Sequence, residues 1–169
     1  THNNKYKTRK KVKKKDTGLV GRKRDGGYES QGKWGQHLVM CMDCGNCHTP
    51  KKMGPMGPQD DSTLLLSGHP AKQPPPDVDR NAMESKGLVV TNDLTSWVGP
   101  WGISYTANLT SDETGIGTWN EDQFIYCIRN GNQKGLAGSR MLLPPMLWPA
   151  FKHLNDDRLK AIFAYFTSP

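Results

Sequence analysis

The sequence has no run of about 20 apolar residues, the length that a helix needs to cross a bilayer, so it predicts no transmembrane helix. No leader with a charged start, an apolar centre and a cleavage site is visible. Hydrophobic residues make up only 34% of the 169 residues, while the 18 glycines and 12 prolines predict long loops. This length allows one domain, whose core needs a further apolar element.

Acidic residues are scarce at the N-terminal end. Residues 1–33 hold three acids against 12 lysines and arginines, a net charge of +9, whereas residues 34–169 hold 13 acids and 11 bases, a net charge of −2. The first 31 residues also have too few large apolar side chains to bury a core. We therefore divide the chain into a basic N-terminal tail, residues 1–31, and a folded domain, residues 32–169.

Cysteine is rare too, with four in the chain, but two of the four form a motif. Residues 44–48 read C-G-N-C-H, which matches C-x-x-C-H, the attachment signature of a c-type haem. Two thiols on one helical turn both reach the vinyl groups of one porphyrin and form thioether links. The adjacent His48 is then the proximal ligand of the iron. One such motif predicts one covalent haem c, which would supply the missing apolar core.

Two other metal sites share these residues. A ferredoxin cluster would need a fourth cysteine where the sequence has Lys51, with a proline after it. Zinc would accept the ligand types, although the loop that usually separates two ligand pairs is missing; the four ligands would be Cys41, Cys44, Cys47 and His48. Haem attachment is favoured over both.

Seven methionines compete for the opposite face of the iron, where a thioether sulfur raises the reduction potential. Met146 follows Pro144 and Pro145, whose fixed φ makes a stiff segment that holds the sulfur with little ordering cost. We call residues 144–146 the strap. It predicts Met146 as the distal ligand, with Met141 as the alternative.

The two remaining cysteines and the loop after His48 carry further expectations. Either Pro55 or Pro58 is expected near the imidazole ring of His48, where a backbone carbonyl of the loop would bond to the ring nitrogen that faces away from the iron; the sequence does not choose between them.

Cys41 and Cys127 are left over after haem attachment, and in an oxidising compartment they would form a disulfide unless they stay free.

Residues 60–106 are predicted to be mostly irregular. His69 lies here before a proline, a setting more typical of a surface or supporting histidine than of an iron ligand. The aromatic residues of this segment either cover the haem edge or anchor the loop, and they are Trp97, Trp101 and Tyr105.

Three helices are predicted from apolar periodicity and capping residues. The first begins near Gly32 and runs into the haem motif, and Gly32 and Gly35 are expected to allow close approach of another helix. The second is capped by Asn120 and ends near Gly131, and the last is capped by Asn155.

Three separated motifs resemble the bacterial class I monohaem cytochromes c. Residues 44–50 read C-x-x-C-H-T-P, residues 108–119 read N-L-T-x-D-x-T-G-I-G-x-W, and residues 143–148 read L-P-P-M-x-W. The likeness covers residues 32–168. It implies a mainly α cytochrome c fold with long irregular loops, in which the first and last helices cross, beside the basic N-terminal tail.

The resemblance also implies roles for individual residues. Cys44 and Cys47 correspond to the thioether sites, and His48 and Met146 correspond to the axial ligands. Trp119 corresponds to a residue near a haem propionate. These are binding roles, and we find no set of residues for acid, base or nucleophilic catalysis.

The predicted function is therefore one-electron transfer, within a larger membrane-associated redox or respiratory complex, and not catalysis by this chain. A free soluble periplasmic carrier is the alternative, and a haem-based sensor or enzyme with a displaceable sixth ligand is a different class, against which the strap argues. Haem c is attached outside the cytoplasm, which predicts an extracytoplasmic site and a leader already removed.

The basic tail predicts how the domain finds its complex. It would dock on an acidic protein surface, with anionic lipid head groups as a possible peripheral membrane contact. Nucleic acid is not an expected partner of a protein in that compartment.

Overall fold

The computed structural model describes residues 26–168; most of the basic tail and its predicted docking fall outside the described residues. Within that range the fold is built mainly from helices: α1 (Gln31–Cys41), α2 (Cys44–His48), α3 (Arg80–Lys86), α4 (Glu121–Asn130), α5 (Trp148–Phe151) and α6 (Asp156–Phe166). Two antiparallel hairpins pair β1 (Lys51–Gly54) with β2 (Gly57–Asp60) and β3 (Ser96–Gly99) with β4 (Gly102–Tyr105). Two 3-10 turns cover Ser62–Leu64 and Gln133–Gly135.

Helix α1 begins one residue before the predicted start because Ser30 caps it, accepting a hydrogen bond from the backbone N–H of Lys33. It does not run into the haem motif as predicted. Asp43 has a φ of 56°, in the left-handed region, and this interrupts the helical hydrogen-bond ladder. The motif therefore forms its own short helix, α2.

Helices α4 and α6 lie where their caps predicted them. The side chain of Asn120 accepts a hydrogen bond from the N–H of Gln123 at 2.8 Å, and α4 ends at Gly131, whose φ is 70°. The side chain of Asn155 accepts one from the N–H of Arg158 at 3.0 Å. These local signals are sufficient to fix both helices.

The main core lies among α1, α4 and α6. Its buried side chains form one cluster with contributions from two further loops: Val39, Leu66, Ile116, Phe124, Ile128, Leu159, Ile162 and Phe166. Helix α1 packs against α6 at Gly35, where an added Cβ would lie 1.8 Å from the carbonyl oxygen of Ala161. The close approach predicted for the α1 glycines is confirmed at Gly35. At Gly32 the corresponding distance to Ala164 is an ordinary 3.8 Å.

The segment between residues 66 and 107 is more regular than predicted. It contains α3 and the β3–β4 hairpin, in which Trp97 pairs with Ser104 and the turn uses Gly99 and Gly102. A backbone bridge joins Val90 to Val98 and extends the hairpin on one side. This segment lies against the haem motif, as described below.

We predict that Gly35→Ala lowers the free energy of unfolding by at least about 2 kcal/mol, because the new methyl group forces α1 away from α6. Alanine would otherwise favour the helix by about 1 kcal/mol. Denaturant unfolding of the haem-loaded chain measures the change. Gly32→Ala is the matched control and should leave stability unchanged or raise it. Equal stability of the two variants would contradict the tight helix contact.

Candidate functional site

The two thiols of the motif lie on the single turn of α2. Both are free, and burial raises the pKa of Cys44 to about 11 and also raises the pKa of Cys47. The two thiols are therefore protonated at neutral pH. Cys44 also packs against the main core cluster.

His48 is buried, with 9% of its surface exposed, and its ring has one protein partner. Nδ1–H donates to the carbonyl oxygen of Ala107 at 2.8 Å. Burial lowers the pKa of His48, while the hydrogen bond to Ala107 raises it in part. A carbonyl only accepts, so this contact fixes the proton on Nδ1 and leaves the Nε2 lone pair for a metal.

The partner of His48 is a correction to the sequence prediction. Pro55 and Pro58 are both exposed, because residues 51–60 fold back on themselves as the β1–β2 hairpin. Ala107 lies 59 residues from His48, which no local pattern reveals. The available signal was that Ala107 immediately precedes the motif beginning at Asn108.

Gly68 allows Ala107 to reach that position. Its φ is 75°, and an added Cβ would lie 2.6 Å from the carbonyl carbon of Ala107. The N–H of Gly68 donates to the carbonyl of His48 at 2.8 Å, and the N–H of His69 donates to Thr106 at 3.0 Å. Residues 68 and 69 thus contact both the backbone of His48 and the stretch of chain, residues 106–107, that orients its ring.

Lys51 holds the C-terminal end of α2. Its Nζ donates to the carbonyls of Asn46 at 2.5 Å and Thr49 at 2.7 Å, and it forms a 2.9 Å ion pair with Asp60. A cation is stabilising at this end of a helix. The residue that excludes a ferredoxin cluster therefore has a structural role that the sequence analysis missed.

Met146 is half-buried and packs against the main core cluster, as do Cys44 and Trp119. Met141 is 46% exposed and is not part of that cluster. Just before the strap, the N–H of Leu142 donates to the carbonyl oxygen of Gly131. The Pro144–Pro145 peptide bond within the strap is cis. The burial of the two methionines favours Met146 over Met141, and its ligation stays a prediction.

The other candidate residues are engaged elsewhere. Both ring nitrogens of His69 have partners at 2.8 Å, the hydroxyl of Thr95 and the carbonyl of Gln73, so neither nitrogen is left for iron. The indole N–H of Trp97 donates to the carbonyl of Leu94, just before β3, and the indole N–H of Trp101 donates to the hydroxyl of Ser104. These contacts anchor the loop, and the covering of a haem edge by the aromatic residues stays a prediction.

The sequence leaves open whether Cys41 and Cys127 are bonded or free, and the structure has both free: Cys41 is exposed on α1, and Cys127 is buried in α4. Cys41 instead lies 3.4 Å from Nε2 of His37. Within residues 26–168, no three His, Cys, Asp or Glu side chains gather in a way that would hold a metal ion, so the structure does not bring together the four ligands considered for zinc.

The chemistry of the donor set fits a covalently attached haem. The site offers two uncharged thiols, a neutral imidazole with a free Nε2, and a thioether beside an apolar cluster. These are the groups that c-type haem attachment and His/Met ligation require.

Comparison with known proteins agrees with this chemistry. No protein-family model matches the chain. It is similar to the gluconate 2-dehydrogenase cytochrome c subunit of Pantoea cypripedii, with 37% identity over 68 residues, 40% of this chain and 15% of that protein. It is also similar to the fructose dehydrogenase cytochrome subunit of Gluconobacter japonicus, with 26% identity over 132 residues, 78% of this chain and 20% of that protein.

A third relative is the cytochrome c subunit of the alcohol dehydrogenase (quinone) of Gluconobacter oxydans, 37% identical over 68 residues, 40% of this chain and 14% of that protein. The chain thus spans about a fifth or less of the length of these relatives. None of the helices described in residues 26–168 has the length and apolar character needed to cross a bilayer.

We predict that Gly68→Ala disturbs the His48 ring, because the methyl group would displace the Ala107 carbonyl. Loss of that hydrogen bond makes the imidazole a weaker donor to iron, so the reduction potential should rise. Redox titration of the haem-loaded protein measures it.

Gly87→Ala is the matched control for that variant. Gly87 has a φ of 63°, so it carries the same backbone penalty of about 1–2 kcal/mol, but an added Cβ meets nothing within 4 Å. The reduction potential of the Gly87→Ala variant should equal that of the wild type. A potential shift common to both variants would contradict a specific role for Gly68.

Proposed function

We propose that this chain is a c-type cytochrome domain with a cytochrome c fold that binds one covalent haem c and transfers one electron at a time. Cys44 and Cys47 would carry the thioether links, and His48 and Met146 would bind the two faces of the iron. The observation that carries the proposal is the His48 ring, buried and neutral, with Nδ1 held by Ala107 and Nε2 free beside two thiols.

The bound haem would supply the redox-active iron, and the chain would set its surroundings. Ala107 orients the proximal ring, the strap delivers the thioether, and the core cluster keeps water from one side of the site. Trp119, which packs on the same cluster, is the proposed neighbour of a haem propionate. No acid, base or nucleophile has a part in this chemistry.

We further propose that the domain works as a subunit or domain of a larger membrane-associated dehydrogenase or respiratory complex on the extracytoplasmic side. The support is the similarity to proteins named as cytochrome subunits of gluconate, fructose and alcohol dehydrogenases. Redox proteins of that complex would be its partners. A free soluble carrier is the alternative, and no substrate chemistry is assigned to this chain.

We predict that Met146→Ala abolishes the weak sulfur-to-iron absorption at the red end of the oxidised spectrum and lowers the potential markedly, because a thioether ligand is lost. Met141→Ala is the matched control, since Met141 is a half-exposed methionine outside the core cluster. If Met141→Ala removes the band and Met146→Ala does not, the ligand assignment is wrong.

Carbon monoxide binding by the wild-type protein distinguishes a carrier from a sensor. A carrier with a firmly bound Met146 should resist carbon monoxide in the reduced wild-type protein. Rapid carbon monoxide binding by the wild type would favour a sensor or enzyme with a displaceable sixth ligand.

The division into tail and domain predicts that deleting residues 1–25 leaves the haem spectrum and the thermal stability unchanged. Association with an acidic redox partner should weaken, most visibly at low salt, because screening removes the attraction of surface charges at high salt. A full-length chain with the tail lysines changed to glutamine is the control for tail length. If it associates as tightly as the wild type, the tail does not act through charge.

A further inference from the structure

The β3–β4 hairpin makes a direct contact with the strap. The hydroxyl of Ser104, on β4, donates to the carbonyl oxygen of Pro144 at 2.6 Å. Ser104 is buried, with 9% of its surface exposed, and its oxygen also accepts from the indole Nε1–H of Trp101 at 3.4 Å. The donor is therefore held in place by its strand and by a neighbouring ring.

The strap has few other means of fixing its backbone. Pro144 and Pro145 have no N–H to donate, and Met146 N–H reaches only back to Leu143, at 3.2 Å. Among residues 26–168, Ser104 provides the one side-chain hydrogen bond to the main chain of residues 143–147. Prolines restrict the internal shape of the strap, but they do not fix its distance from the rest of the protein.

The chain that follows β4 leads to His48. Ala107, which orients His48, follows Ser104 by three residues, roughly 10 Å of extended chain. This stretch is itself anchored, since Thr106 N donates to Thr95 O at 2.9 Å and Thr106 O accepts from His69 N. Residues 104–107 thus contact the segments that carry both candidate axial ligands.

We propose that Ser104 is a positioning residue for the distal ligand. By holding the Pro144 carbonyl, it keeps the Met146 thioether within reach of the iron and opposes its replacement by an external ligand. This inference rests on the proposed function, because it assigns the sulfur to the iron. It adds that the hairpin, which lies outside the three sequence motifs, sets how firmly that bond is kept.

The test compares three variants of the full haem-loaded chain. Ser104→Ala removes the hydroxyl, and Ser104→Thr restores it. Ser96→Ala is the matched control: Ser96 is in the same hairpin, is 1% exposed, and its Oγ has no hydrogen-bond partner in the described structure. Imidazole is titrated into the oxidised protein, and the loss of the sulfur-to-iron band is followed.

Ser104→Ala should raise the apparent affinity for imidazole about fivefold, the factor that corresponds to one hydrogen bond of about 1 kcal/mol. Ser104→Thr should return the affinity to within a factor of two of the wild type, and Ser96→Ala should not change it. An unchanged affinity in Ser104→Ala, or the same rise in Ser96→Ala, overturns the proposal, because a general loosening of the hairpin would act in both.

A second measurement separates this inference from the assignment of the ligand. If the wild type lacks the sulfur-to-iron band, Met146 is not the ligand and that part of the proposed function fails, together with the positioning role. Amide hydrogen exchange at Met146 then still reports the contact itself. Faster exchange in Ser104→Ala alone would show that Ser104 holds the strap for another purpose. Equal exchange in all variants would show that Ser104 does not restrain the strap.

Discussion

The hydrogen bond from His48 to Ala107 is the constraint on which the rest of the site depends. A buried imidazole that keeps Nε2 for iron needs an acceptor for its Nδ1 proton, and an unpaired buried donor would cost roughly 1–3 kcal/mol. The acceptor comes from a residue 59 positions away, so the intervening chain must return to α2. Gly68, lying against Ala107 where no Cβ fits, is the local consequence of that return.

The need for the chain to come back to α2 explains why so many residues lie outside the core formed by α1, α4 and α6. Residues 66–107 contribute one residue, Leu66, to the main buried cluster, yet they contact α2 and the strap through directional hydrogen bonds. Their α3 and β3–β4 elements give this segment a regular framework of its own. Low hydrophobic content and many loop residues are therefore compatible with a site held at fixed positions, because backbone pairing replaces apolar packing there.

The sequence was informative at the helix ends and at one helix contact, where the signal is local. Asn120, Gly131 and Asn155 set helix ends through contacts within a few residues, and the glycine at position 35 correctly indicated a helix contact. The β3–β4 hairpin was not predicted, although Gly99 and Gly102 flank a short Pro-Trp turn between segments that contain aromatic and β-branched residues, which is a usable signal. The break at Asp43 was not predictable, since left-handed backbone at aspartate depends on the surrounding structure.

The candidate site likewise has local features that the sequence reveals and long-range contacts that it does not. The C-x-x-C-H motif and the two prolines before Met146 are local patterns that point to chemistry, whereas the partners of these groups join residues 40 to 59 positions apart. Pro55 and Pro58 were chosen as partners of His48 because they lie nearby in sequence. Long-range pairing of that kind is set by how the whole chain returns on itself, so only a structure or a known family pattern reveals it.

The two contacts of residues 104–107 also bear on the kind of protein that this site suits. A sensor requires a sixth ligand that leaves at small cost and moves independently of the proximal side. Here the strap and the His48 ring both bond to residues 104–107, so displacing Pro144 would disturb the backbone that ends at Ala107. If Met146 binds the iron as proposed, its withdrawal would therefore cost more than the loss of that one bond. A site with that coupling suits a centre whose ligands stay in place while only an electron moves.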